Sequence, residues 1–134
     1  MLKYLLDTNI VIYVIKRRPP EALAIFNRHH GHMAISSVTL AELVHGAEKS
    51  SDVARNIRVV EDFASRLAVL PYDDKAAWQY GQIRAALEKI GQPIGVNDLH
   101  IAAHARSNGL TLVANNLREF ERVPGLLLEN WVAT

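Results

Sequence analysis

Three acidic residues, Asp7, Glu42 and Asp98, stand where a metal-assisted hydrolysis could use them. Asp7 ends a short apolar run, Tyr4-Leu5-Leu6, and opens Asp7-Thr8-Asn9, whose residue types all favour helix N-caps. It is therefore either a cap or a carboxylate presented at a strand end. Glu42 interrupts Thr39-Leu40-Ala41-Glu42-Leu43-Val44, in a helical pattern where Leu40, Leu43, Val44 and Ala47 form one apolar face. Gly46 lies one turn beyond it and leaves the carboxylate uncrowded, although a mid-helix Gly costs about 1 kcal/mol against Ala. The alternative for Glu42 is a solvated side chain beside His45. Asp98 falls in the first turn of a helix capped by Asn97, where an acid complements the helix dipole. It also falls on the side of Ile101, Ala102 and Ala105, which faces the core. An acid at the inner edge of a buried helix start must be paired, neutral or bound to a cation.

Grouping such acids has a chemical rationale. Mg²⁺ and Mn²⁺ prefer hard oxygen ligands, and Mg²⁺ keeps several waters while using one or two carboxylates. A cation so held lowers the pKa of a bound water and clamps phosphate oxygens during in-line attack. Without it, carboxylates held together repel one another, which raises the pKa of at least one.

The elements that must position these acids alternate between strand and helix. Tyr4-Leu5-Leu6 reads as a buried strand, followed by a helix from Ile10 that closes near Pro19-Pro20. Glu21 to His30 is a second helix, Met33-Ala34-Ile35 a brief strand, and Ser36-Ser37 the cap of a helix from Val38 to Lys49. Ser50 to Arg66 is an amphipathic segment. Leu67 to Leu70 is a strand, Asp73 to Ile90 a long helix, and Gln92 to Val96 an ordered loop. The helix opened by Asn97 reaches Ser107, with Asn108-Gly109 as its stop and His100, His104 and Ser107 on its polar face. Leu110 to Ala114 is a strand, Asn115-Asn116 opens a short helical turn, and Leu126 to Leu128 is a last strand. Such alternation predicts an α/β fold with a mainly parallel sheet, ligands lying beyond the carboxyl ends of its strands.

Composition narrows the class without deciding function. At 134 residues, 49% hydrophobic and 22% charged, the chain reads as one globular domain spanning 1–134. The absence of cysteine excludes disulfides, thiolate zinc sites and a cysteine nucleophile. No apolar run approaches the ~20 residues of a membrane span, and the N-terminus lacks a signal-peptide layout, so a cytoplasmic protein is expected. The net charge of +1 neither requires nor excludes a nucleic-acid partner. Lys16, Arg17, Arg84, Lys89 and Arg118 are candidates for holding an RNA backbone, and Tyr13 or Trp78 for stacking on a base.

At the acidic positions the chain resembles the PIN-domain family, and within it the VapC toxins of bacterial toxin–antitoxin pairs. Leu5-Leu6-Asp7-Thr8-Asn9, Ala41-Glu42-Leu43-Val44-His45-Gly46 and Asn97-Asp98-Leu99-His100-Ile101-Ala102-Ala103 match the family's first three motifs in order, over essentially the whole chain. The resemblance implies a three-layer sandwich whose mainly parallel central sheet is flanked by helices. It assigns Asp7, Glu42 and Asp98 as metal ligands. The fourth motif departs: Ala114 stands where Thr is common, and Asn116 where Asp is. Asn116 can orient a metal-bound water but supplies no charge; Glu119 either compensates or, the favoured alternative, is a helix-surface glutamate. The resemblance further implies Mg²⁺- or Mn²⁺-dependent RNA hydrolysis leaving a 5′-phosphate and a 3′-hydroxyl. It implies a homodimer, a VapB-like antitoxin covering the active site, and the anticodon stem-loop of initiator tRNA as substrate.

Two rival classes carry distinct expectations. His100 and His104 are spaced to hold zinc on one helix face, though with no Glu between them, solvated histidines being the alternative. A non-catalytic binding module would explain the missing fourth acid. A dinucleotide-binding domain is disfavoured, because the first strand leads into Asp-Thr-Asn, which would repel a phosphate.

Overall fold

The computed structural model describes residues 1–132. In chain order the elements are β1 (Tyr4–Leu6), α1 (Thr8–Lys16), α2 (Pro20–Arg28), β2 (Met33–Ser36), α3 (Ser37–Glu48) and α4 (Val53–Ala64). Then follow β3 (Ala68–Leu70), α5 (Asp74–Lys89), α6 (Val96–Ser107), β4 (Thr111–Val113), α7 (Leu117–Phe120) and β5 (Leu128–Glu129). The strands form one parallel sheet in the order β3-β2-β1-β4-β5.

The inner strands are mostly apolar because both of their faces are covered, with Ser36 and Thr111 as the exceptions at strand ends. Tyr4, Leu6, Met33, Ile35 and Val113 point to one side, where Ile10, Val11 and Val14 of α1, Phe26 of α2, Leu43 of α3 and Phe63 of α4 complete a core. Leu5, Ala34, Leu112 and Ala114 point to the other, against Ile83 and Leu87 of α5 and Leu99, Ile101 and Ala105 of α6. The result is the helix–sheet–helix sandwich expected from the alternating pattern. With β1 central, the chain crosses to β2 on one side and later to β4 on the other. The strand order reverses there, and the cleft beyond the β1 and β4 carboxyl ends is where such sheets bind ligands. The backbone tightens that edge: Asp7 N donates to Val113 O at 2.9 Å.

Several expected boundaries move. The second helix is Pro20–Arg28, starting on a proline whose fixed φ suits the first helical turn. The amphipathic segment becomes helical only from Val53, capped by the Asp52 side chain on Arg55 N. The last strand is Leu128–Glu129, not Leu126 to Leu128, because its register follows Leu112 and Val113. The largest correction concerns α6. Its N-cap is Gly95, not Asn97, and it has no polar face of the expected kind. Ile101 through Ala105 are all buried, His104 at 1% exposure, because α6 is wedged between the sheet and α5. No described helix is long and apolar enough to cross a membrane.

Leu112 is fully buried at the middle of the sheet, so Leu112→Ala should destabilise the chain by about 3 kcal/mol. Trp78, 74% exposed on α5, is the control, and its replacement by Ala should change stability by less than about 0.5 kcal/mol. Urea unfolding midpoints with unchanged slopes would show both. Equal effects would mean that the sheet centre is not the core.

Candidate active site

Asp7 ends β1 at the N-cap position of α1 but makes no side-chain cap hydrogen bond. It is 7% exposed, and its pKa is pushed up to about 6. Burial is the chief cause, and the nearby charge of Glu42 adds to it. The Thr8 and Asn9 amides offset only part of that rise. Glu42 projects from α3 half-buried, and both of its oxygens are held. Thr8 Oγ1 donates to Oε1 at 2.8 Å, and Asn97 Nδ2 donates to Oε2 at 3.2 Å. The Thr8 hydroxyl has a single proton, so at 3.2 Å from the buried Thr39 hydroxyl it accepts that neighbour's proton while giving its own to the carboxylate.

Asp98 is the third residue of α6 and is likewise pushed up to about 6. Burial contributes most, followed by the charges of Asp7, Glu119 and Glu42. A strand end, the middle of α3 and the start of α6 therefore bring the expected acids to one place, together with a fourth. Glu119, on α7, accepts from Gly95 N at 3.0 Å and stands against Asp98 closely enough for the two carboxyls to share a proton.

Asn116 is placed differently. It is exposed, and its Oδ1 accepts from Arg118 N at 3.3 Å, capping the short helix that carries Glu119. Its neighbour Asn115 turns inward, donating to Tyr13 Oη at 3.0 Å, which commits Tyr13 to the fold rather than to a base. The signal for Glu119 was present in the sequence only as one acid on a short turn. Nothing in local pattern distinguishes it from a surface glutamate until the Gly95 loop is packed against it. The resemblance did name it as a possible compensation for Asn116.

The histidines are not a zinc pair, nor are they solvated. His104 Nδ1 shares a 2.8 Å hydrogen bond with Ser36 Oγ, and His100 Nδ1 shares one of 2.8 Å with Tyr72 Oη. His100 also stacks on Tyr80, and burial lowers the pKa of both imidazoles. Each ring is committed to a different partner.

The acidic cluster suits a hard divalent cation. It offers carboxylate oxygens, and the ion pairs among the described residues, Arg66–Asp62 and Arg84–Glu88, both lie elsewhere on exposed helix faces. The carboxylates face one another without closing on a point: no three acids or histidines among the described residues stand as a tight ligand set. Thr8 and Asn97 hold the Glu42 carboxylate, and Gly95 holds Glu119.

Residues 4–126 match the PIN domain. The chain belongs to the PIN-domain family. A ribonuclease of Haemophilus influenzae, VapC2, is 64% identical over 132 residues, covering 98% of this chain and all of the relative. A tRNA(fMet)-specific endonuclease VapC of Shigella flexneri is 56% identical, covering 98% of this chain and 99% of that protein. A chain of the DNA-bound VapBC crystal structure from Salmonella typhimurium superposes with a TM-score of 0.94 at 54% identity, covering 98% of this chain and 100% of that one. Together these place the chain among the VapC ribonucleases of the family, and its PIN fold is that of the sandwich described above.

The raised pKa of Asp98 has a consequence for stability. The unfolded chain ionises this carboxyl near 3.8, and the folded chain near about 6. The folded state thus holds the extra proton between these values, so stability falls as pH rises through that window. Asp98→Asn removes the penalty. At about pH 7.5 and without divalent cations, the variant should be more stable by about 1 kcal/mol, after discounting for the solvent that reaches this half-buried group. That corresponds to roughly 3 °C in Tm, and the gain should fade by about pH 4. Thermal melts in EDTA across this range test it; a variant no more stable than wild type at the higher pH would sink the account of the cluster as strained.

Proposed function

We propose that this ribonuclease cuts RNA at the acidic cluster with a divalent cation, Mg²⁺ or Mn²⁺, held by Asp7, Glu42 and Asp98. The observation carrying this reading is a set of facing carboxylates, two with pKa values pushed up to about 6, none of them in an ion pair among the described residues. When bound, the cation supplies a water of lowered pKa and draws negative charge from the phosphate under attack. The chain's own residues do the rest. Thr8 and Asn97 hold Glu42 by both oxygens, so the carboxylate is oriented before anything binds. Glu119 braces the Gly95 loop that leads into Asp98 and adds a fourth negative charge beside it. Asn116 supports this arrangement by capping the turn that presents Glu119.

Four carboxylates repel an RNA backbone, so cation binding and substrate binding are coupled in this reading. Exposed Lys16 and Arg17, at the end of α1, and exposed Arg118, on α7, are the cations best placed to hold flanking phosphates. Arg84 is a poorer candidate, since its guanidinium already binds Glu88 and the Tyr80 hydroxyl. We take the substrate to be initiator tRNA, cut in its anticodon stem-loop to a 5′-phosphate and a 3′-hydroxyl, which stops translation. The Shigella relative, a tRNA(fMet)-specific endonuclease, supports this, and action on transfer RNA fits a cytoplasmic protein. The chain is then the toxin of a toxin–antitoxin pair, its activity residing in one domain. An apolar groove runs from Glu42 and Thr8 past Ile12, Leu43 and Val60. Gly46 widens it, since a Cβ there would meet nothing. A VapB-like antitoxin lying along that groove would cover the acids. Homodimer formation completes the reading.

Purified chain free of antitoxin should convert initiator tRNA into two discrete fragments with Mg²⁺ or Mn²⁺ and leave it intact in EDTA. Asp98→Asn should lower the rate by at least ~100-fold. End-mapped products on denaturing gels give the cut site. Cleavage that persists in EDTA would remove the cation from the reading, and equal cleavage of all transfer RNAs would remove the initiator specificity alone.

A further inference from the structure

Both oxygens of Glu42 are held by side chains from other elements, and the two holders differ in kind. Thr8 is half-buried and belongs to a hydroxyl pair with Thr39. Asn97 is exposed, yet its amide reaches across 55 residues of sequence to Glu42. A hydrogen bond of that sort, open to water, contributes little to stability.

The helix gives no reason for asparagine either. Asn97 is the second residue of α6, and the N-cap position belongs to Gly95. In a first turn the dipole favours an acid, and asparagine is a poorer helix former than alanine or glutamate. What the amide offers is a donor without charge. Aspartate there would be a fifth carboxylate facing Glu42. Lysine or arginine would donate, but would also neutralise the acid it held and oppose a cation nearby.

We infer that Asn97 is a positioning residue, whose Nδ2 holds Glu42 Oε2 so that the carboxylate is aligned with Asp7 and Asp98 while keeping its full charge. The inference rests on reading these acids as a cation site. Residues 97 and 98 then divide the work at one helix start: Asp98 supplies a ligand, and its neighbour aligns a second ligand carried on α3. The arrangement couples the relative placement of α3 and α6 directly to the geometry of the acids.

Mn²⁺ binding to the purified chain, measured by calorimetry, tests this alongside RNA cleavage kinetics and Tm. The proteins are wild type, Asn97→Ala, Asn97→Asp, Asn97→Gln and Asp98→Asn. Asn97→Ala and Asn97→Asp should each weaken Mn²⁺ binding about 10-fold, the scale of loss when a ligand's outer partner is removed. Both should lower kcat with KM for RNA unchanged and Tm nearly so, and Asn97→Gln, which retains an amide donor, should recover most of the loss. Tighter Mn²⁺ binding by Asn97→Asp would overturn the inference, since extra charge would then matter more than alignment. A raised KM for RNA with unchanged Mn²⁺ binding would also overturn it, making Asn97 a substrate contact. Wild-type binding that survives Asn97→Ala but not Asp98→Asn defeats the positioning role alone. No Mn²⁺ binding by wild type defeats the cation site, and this inference with it.

Discussion

Asp7, Glu42, Asp98 and Glu119 face one another across the carboxyl edge of the sheet, and the repulsion among them governs much of what surrounds it. Four carboxyl groups gathered in a partly dry cleft are unfavourable, so something in the chain must hold them there. The holders are neutral: a threonine hydroxyl, an asparagine amide and a glycine backbone N–H. None contributes a positive charge. A lysine or arginine would stabilise the cleft more strongly, by pairing with an acid, but would occupy the charge that a divalent cation needs. The chain thus tolerates local destabilisation at its site while its two apolar cores supply the stability.

Those cores explain how the repulsion can be borne. The central strands are buried on both faces, and α6 is so enclosed that even His104 is 1% exposed. Its alanines at 102, 103 and 105 allow close approach to the sheet and to α5, which fixes the helix and therefore Asp98 at its start. His104 adds a polar tie inside this packing, bonding Ser36, the residue whose side chain also caps α3 on Val38 N. One buried contact thereby links the helix carrying Asp98 to the start of the helix carrying Glu42. Rigidity at these helix starts keeps the acids apart by a set distance and prevents their relaxing into solvent.

How much of this is legible in the sequence depends on whether the information is local. Asp7, Glu42 and Asp98 stand at a strand end, in mid-helix and at a helix start, in elements that apolar periodicity locates well, and the sheet rule then places them together. The α/β alternation is equally local. His104 is misread because helical periodicity assumes one buried face, whereas α6 is covered on nearly all sides. Asn97 is misread as a cap because its residue type fits that position, and only Gly95, with backbone dihedrals of −60° and 149°, shows where the helix begins. Glu119 is undecidable from its surroundings in sequence, since its meaning comes from Gly95 and Asp98, residues more than twenty positions away.

The fourth motif shows which property the cleft conserves in physical terms. Where the family commonly places an aspartate, this chain has Asn116, which caps the next turn through its side-chain oxygen. An aspartate could make the same cap, so the asparagine removes a charge without altering the turn. Three residues on, Glu119 projects from that turn to the cleft and adds a charge there. The turn is only four residues long, so capping and charge come from opposite ends of one element. A glutamate reaches farther than an aspartate and can brace the Gly95 loop as well, which a residue at position 116 is not placed to do. The negative charge beside Asp98 is thus a property of the cleft as a whole, set by what the short helix presents rather than by the residue type at one motif position.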